Sequence, residues 1–382
     1  MKWRLAVLCL LLAALSGCGW IQNEYRVVSE HPAPVPTASA QEEEIYSATD
    51  VNSLTDVVLS LVRDGSAQNR IDVTNFRGDI KQSVSGIMRR LALEPVYAYA
   101  VDYADYDVIE QGDAVILKLD MVYRRSAEEI ASIVEVQDVD RAQQLIDRAL
   151  NNFDVAITLK IEQYSDTDFA SKACQHCLEQ PCRVVEIPKV TVEVYPEIGT
   201  TRIVEMHFGY NNNRDDMRAM LGNVSTVCAS AGTYASAVRG DLQRLTRLCE
   251  YLITRSDYQQ TDTTTTPAYG LLCRKQAGNK GFASVLYNTA ERSELECYLV
   301  TGTREDAPYC WNIVAVDGKY YHIDLMQQWQ TGQITPQLYS DAQMTGYAWD
   351  AAAYPVCDTQ PEPDASQAPE SEPTESDPSD ND

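Results

Sequence analysis

Ala268-Tyr269-Gly270-Leu271-Leu272-Cys273-Arg274-Lys275-Gln276-Ala277-Gly278-Asn279-Lys280-Gly281-Phe282-Ala283 is the stretch on which the reading of this chain turns. Two further segments follow it in fixed order. Glu296-Cys297-Tyr298-Leu299-Val300-Thr301-Gly302 leads to Pro308-Tyr309-Cys310-Trp311-Asn312. The run Val316-Asp317-Gly318-Lys319-Tyr320-Tyr321-His322-Ile323-Asp324 then reads as a hairpin turn and a strand.

Taken together, these segments resemble the core of bacterial transglutaminase-like proteins. In that family an alanine-tyrosine-glycine start leads without gaps to a cysteine followed by any residue, a glycine, an aromatic residue and an alanine. Here Asn279 stands at the cysteine position. Glu296 to Gly302 resembles the second core strand, and Pro308 to Asn312 resembles the histidine motif with Tyr309 at the histidine position. Val316 to Asp324 resembles the third motif and keeps Asp324 as the triad aspartate. The closing residues Tyr347, Ala348, Trp349, Asp350, Tyr354 and Pro355 resemble the end of such lipoproteins. The resemblance is specific over roughly residues 234–357 and thinner upstream, where strand ends such as Arg202 to Tyr210 carry it. It implies an α+β fold: a papain-like transglutaminase domain, one buried helix on an antiparallel sheet, preceded by a smaller α+β repeat region.

The resemblance also says which chemistry is missing. In active relatives a cysteine at a helix N-terminus is favoured as thiolate by the helix dipole and a neighbouring imidazole, and attacks an amide carbonyl. Histidine moves the proton and aspartate fixes its tautomer. The amide of Asn279 cannot form the acyl intermediate, and Tyr309, a phenol of pKa about 10, is a poor base at neutral pH. No catalytic residue is therefore expected among the degenerate triad positions Asn279, Tyr309 and Asp324. Those three with Trp311 and Asn312 are expected to line a binding groove, or its collapsed remnant. Cys273, Cys297 and Cys310 read as buried small hydrophobes, Cys310 facing away from Tyr309 along its strand, and His322 as a packing or hydrogen-bonding residue. The rival reading is an active amide hydrolase or transpeptidase with a non-standard nucleophile.

Upstream, residues 51–225 show an internal echo. Ile116 to Tyr123 alternates and runs through a polar turn into a helix start bearing Glu128 and Glu129; Ile203 to Tyr210 does the same ahead of Asp215 and Asp216. Val57 to Val62 and Val155 to Ile161 read as strands, Ile80 to Leu93 and Phe169 to Leu178 as helices, giving a strand-helix-strand-strand unit present twice. A helix over Tyr234 to Tyr251 places Leu242, Leu245 and Leu248 on one face and leads into the transglutaminase-like region, residues 226–357.

The ends read differently from the middle. Lys2 and Arg4, an apolar run from Leu5 to Leu15, then Ser16, Gly17 and Cys18 form the pattern of a lipoprotein signal peptide over residues 1–17, with Cys18 as the lipidated residue. Residues 18–50 are expected to be a disordered tether. Residues 358–382 carry nine acidic side chains, no basic ones and five prolines, an acidic disordered tail. The net charge of −25 argues against nucleic acid, leaving the lipid to attach the chain to the outer face of the cytoplasmic membrane and an envelope peptide, protein or peptidoglycan as partner. Of eleven cysteines, Cys9 leaves with the signal and Cys18 takes lipid; the odd remainder suggests mostly reduced thiols. Cys174, His176, Cys177 and Cys182 form a weak zinc candidate, with a disulfide or free thiols as alternatives. No cofactor is expected.

Overall fold

The computed structural model describes residues 46–255, 257–261 and 264–359. The signal peptide, Cys18, the tether up to Ile45 and all but the first two residues of the acidic tail lie outside them. The chain is α+β, and among the described residues no helix is long and apolar enough to cross a membrane.

The first part is one topology built twice. β1 (Tyr46–Ser47), α1 (Val51–Arg63), β2 (Gln68–Asp72), α2 (Ile80–Leu91), α3 (Pro95–Ala100), β3 (Val101–Gln111), β4 (Ala114–Tyr123) and α4 (Ala127–Ala131) form the first copy. β5 (Val134–Asp138), α5 (Val139–Asn151), β6 (Ala156–Gln163), α6 (Phe169–Glu179), β7 (Lys189–Tyr195), β8 (Arg202–Gly209) and α7 (Arg214–Ser236) form the second. Their sheets run β1-β2-β4-β3 and β5-β6-β8-β7. In each, the first pair is parallel and the other two are antiparallel. The two sheets share one strand order and pairing pattern, with one strand and one helix more than the expected unit in the second copy and a further helix, α3, in the first.

The matching ends of the two copies have a local cause. Ser126 closes a capping box with Glu129 at α4, and Asn213 accepts from the Asp216 N–H at α7, so each helix starts on a side-chain cap with acids in its first turn. A buried contact joins the copies: Glu205 on β8 accepts from the Tyr99 hydroxyl at 3.0 Å and pairs with Arg125 at 2.5 Å.

Two expectations are corrected. Val57 to Val62, expected as a strand, belongs to α1: Asp50 caps that helix, and Leu54, Val58, Leu61 and Val62 are buried at helical spacing. A short apolar run shows the same face to either period, so only the cap upstream distinguishes them. The single helix expected over Tyr234 to Tyr251 is broken at Ala237 to Gly240 into α7 and α8 (Asp241–Thr254). Leu245 and Leu248 are buried there, whereas Leu242 is exposed. The division placed at residue 225 falls inside α7, and one apolar core runs without a break from Val136 to Met326.

Beyond α8 come β9 (Gln259–Gln260), α9 (Pro267–Arg274), β10 (Gln276–Ala277) and α10 (Asn279–Arg292). The antiparallel sheet that follows contains β11 (Cys297–Arg304), β12 (Ala307–Val316), β13 (Lys319–Ile323) and, after α11 (Leu325–Thr331), β14 (Tyr347–Ala348), in the order β13-β12-β11-β14. α10 is the buried helix the resemblance implied, with Gly281 to Leu286 and Asn288 to Ala290 all out of solvent. A Cβ at Gly281 would stand 2.9 Å from the Pro267 carbonyl oxygen, so this glycine is what lets α9 close on α10. Asp317 and Gly318, at φ 51° and 76°, turn β12 into β13 with the handedness a two-residue hairpin requires.

Candidate functional site

Asn279 is the first residue of α10, and Gly278 before it supplies no side-chain cap. The start of α10 borders a cavity of about 360 Å³, lined in part by Asn279, Lys280, Gln276, Arg304 and Tyr309. Asn279 Oδ1 is held in place, accepting from the Cys310 backbone N–H at 3.1 Å. Its carbonyl thus ties the helix start to β12, and no thiol lines the cavity among the described residues.

Tyr309 comes from the next strand position and reaches the retained acid. Its hydroxyl donates to Asp324 Oδ1 at 3.3 Å and accepts from Arg304 Nη1 at 3.3 Å. Burial, then the Asp324 carboxylate, push the phenol well above its ordinary range, so it stays a protonated donor and not a base.

Asp324, 2 % exposed, has its oxygens fully engaged. Beyond Tyr309, it caps α11 by accepting from the Gln327 N–H at 3.0 Å and accepts from the Tyr347 hydroxyl at 2.7 Å. Arg304 stands 3.6 Å away between the two phenol rings, 5.4 and 5.2 Å from their centroids. A group that would steer a histidine in an active triad is here the centre of a closed polar cluster.

The structure brings Asn279 and Tyr309 to the groove but not the other three expected residues. Trp311 and Asn312 are 1 % exposed, and with Asp324 they support the groove from behind. Asn312 Nδ2 donates to the Ala283 and Tyr298 carbonyls, fastening α10 to β11. Arg304, Tyr347, Lys280 and Gln276 were missed. Tyr347 and Arg304 meet only because β14 pairs with β11, Arg304 opposite Tyr347, a contact with no local signal.

Cys273, Cys297 and Cys310 do not line this cavity. Cys310 is buried behind the strand among Leu178, Ala283 and Leu299, and burial pushes its thiol up to about 12. Burial likewise raises Cys297 and Cys273, although Cys273 is exposed at the end of α9 and not buried as expected.

The zinc candidate is dispersed. Cys174 packs against the Cys310 cluster, and Cys177 lies in the main core. His176 turns to α5, where its Nε2 meets Asn151 Oδ1 at 3.0 Å; Cys182 meets Asn288. Cys174 and Cys177, three apart on α6, share a helix face, but His176 and Cys182 turn to other partners, so the four do not gather on one ion.

A different trio does converge: His322, Asp341 and Cys357 have ligand atoms within 4.8 Å of one another. These residues do not fit a metal. The Trp311 indole N–H donates to His322 Nδ1 at 2.9 Å, so the ring proton must sit on Nε2, which faces Asp341 Oδ1 at 2.8 Å. A metal-bound histidine donates through its second nitrogen, and this one accepts there. His322 is a hydrogen-bonded clamp, in keeping with the expectation for it.

Burial lowers the His322 pKa from the ordinary 6.5, against the opposing pull of Asp341. The folded chain therefore keeps this ring neutral where the unfolded chain takes up a proton. Stability is fully present above pH 6.5 and falls as pH drops from there toward the depressed folded value, by up to about 1.4 kcal/mol per unit for one group. Urea midpoints at pH 7.5 and 5.5 should show this loss, and His322→Gln should flatten it in part, since burial also lowers His176.

No family model and no curated protein matches the chain. Among solved structures it is similar to one titled as a TGase, at 11% identity over 44% of this chain and 50% of that one, with a TM-score of 0.23. Another, from Cytophaga hutchinsonii and provisionally described as a cysteine protease, aligns at 7% identity over 44% of this chain and 69% of that one, TM-score 0.24. A third, from Parabacteroides distasonis and provisionally described as a protease, gives 7% identity, 68% and 43% coverage, and a TM-score of 0.21. The chain spans half the length of the first of these.

Proposed function

We propose that this chain is a transglutaminase-like pseudoenzyme, a binding protein of the cell envelope whose groove holds a peptide segment, of a protein or of cell-wall material, without cleaving it. The observation that carries this reading is Asn279: an amide, already accepting from the Cys310 backbone, occupies the helix start where the chemistry needs a thiolate. The groove suits amides. Gln330, Thr261 and Thr264 line the cavity with amide and hydroxyl groups that can meet a peptide backbone. Lys280 adds positive charge at the cavity for a carboxylate. Lipidation at Cys18 would tether the chain to the outer face of the cytoplasmic membrane, and its acidity leaves nucleic acid out as a partner.

Titration calorimetry against short peptides and muropeptides tests this. At least one should bind and be recovered intact by mass spectrometry. Ala307, exposed at the start of β12 and lining the cavity, can be enlarged without disturbing the core. Ala307→Trp should weaken binding at least about tenfold with an unchanged melting temperature. Cleavage or crosslinking of the peptide by the wild-type protein would sink the proposal.

A further inference from the structure

The outer faces of the two upstream sheets carry the same charge problem, and only one of them is solved within the chain. In the second sheet Glu193 and Glu205 stand directly opposite each other across β7 and β8, a pairing of like charges that costs stability unless a cation joins it. Arg125 of the first copy joins it. Its guanidinium reaches Glu193 at 3.4 Å and Glu205 at 2.5 Å, and it lies 5.9 Å from the centre of the Tyr195 ring. Ile203, on the same face, is fully buried against the core of the first copy. This face is where the first copy docks on the second.

In the first sheet Leu117, Leu119 and Met121 point into the core, with Ala104, Tyr106 and Val108 packed beside them, so the alternate residues form its outer face. Those are Tyr103, Asp105 and Asp107 on β3 and Lys118, Asp120 and Val122 on β4, all exposed. By register, Ile109 opposite Ile116 takes the place of Tyr195 opposite Ile203, and Asp107 opposite Lys118 that of Glu193 opposite Glu205. The like-charged pair comes one step further along, Asp105 opposite Asp120. Next to it Tyr103 stands opposite Val122, 60% and 41% exposed. Arg70, from β2, turns the other way and donates to Gln111 at 2.9 Å. Among the described residues no cation forms an ion pair with Asp105 or Asp120.

We propose that this face of the first copy is a docking surface for a basic partner protein, which lays an arginine between Asp105 and Asp120 as Arg125 lies between Glu193 and Glu205. The aliphatic stem of that arginine covers Tyr103 and Val122, and its guanidinium meets the phenol ring and both carboxylates. A second copy of this chain is the poorer occupant, because at a net charge of −25 two copies repel. The surface is separate from the groove and does not depend on what the groove holds.

The probe is a short peptide of alternating arginine and valine, acetylated and amidated so that it offers Lys280 no carboxylate, titrated into the full-length protein by calorimetry at low ionic strength. It should bind the wild type. Asp105→Asn combined with Asp120→Asn should weaken binding at least about tenfold, and Tyr103→Ala roughly threefold. Glu291→Gln combined with Asp306→Asn removes the same charge from α10 and the β11–β12 turn and should leave the affinity within about twofold. All four acids are exposed, so both double variants keep the fold. Equal weakening by the two would reduce the binding to net charge and overturn the proposal, as would a peptide that does not bind the wild type. So would a wild type that sediments as a dimer, with the substitutions at Asp105 and Asp120 changing that state and not the peptide affinity.

Discussion

Asn279→Cys combined with Tyr309→His should give this protein a nucleophile that neither change gives alone. A cysteine at position 279 would open α10, whose first N–H groups have no side-chain cap, so the helix terminus favours its thiolate. Without a base nearby, the gain from Asn279→Cys alone stays modest. A histidine at 309 would start from a strand position whose side chain already reaches Asp324 Oδ1, which can accept a ring N–H and fix the tautomer. Arg304, 3.6 Å from Asp324, competes for that carboxylate and disfavours the imidazolium, which leaves the ring neutral and able to take the thiol proton. Positioned acid–base assistance contributes about 10²–10⁴-fold, so acylation of the double variant by a p-nitrophenyl ester should exceed that of either single variant by roughly a hundredfold. Peptide mapping must place the acyl group on residue 279, because the exposed Cys273 can also meet the ester. If the single and double variants acylate alike, the triad geometry is not there to be restored, and the pseudoenzyme reading fails with it.

The sequence made the fold legible where a residue has a local reason for being itself. Gly281 is required by the approach of Pro267, Asp317 and Gly318 by the hairpin, and the paired acids of α4 and α7 by their helix starts. Each leaves a mark within a few positions of the chain. Val57 to Val62 does not, because five apolar residues in six positions satisfy strand and helix alike until the Asp50 cap is weighed.

The site divides along the same line. Asn279 and Tyr309 are legible as substitutions against the motif spacing of the family the chain resembles, and both reach the groove. Trp311, Asn312 and Asp324 were misplaced because a motif gives order along a strand, whereas lining depends on what packs over it. The meeting of Arg304 with Tyr347 has no local signal, since they are 43 positions apart and come together through the pairing of β14 with β11. Long-range register is the information a single sequence carries least of.

That pairing is also why Asp324→Ala should be among the most destabilising single changes in the chain. The carboxylate is 2 % exposed and receives hydrogen bonds from Tyr309, Tyr347 and the Gln327 N–H while facing Arg304, whose side chain is 26% exposed. Removing it leaves a partly buried guanidinium uncompensated, the Tyr309 phenol without an acceptor, Tyr347 with Gln327 Oε1 alone, and α11 without its cap. Breaking a buried pair at one partner costs about 3–5 kcal/mol, and the partial exposure of Arg304 puts the expectation near the lower figure. Asp324→Asn keeps the shape and one acceptor, so it should lose about half as much. Urea unfolding of the two variants separates this from a residue kept for chemistry: a catalytic remnant with no structural duty could be truncated for under about 1 kcal/mol. A loss that small for Asp324→Ala would mean that the polar cluster is held together by its surroundings, and that Arg304 is free to meet a ligand carboxylate in the groove instead.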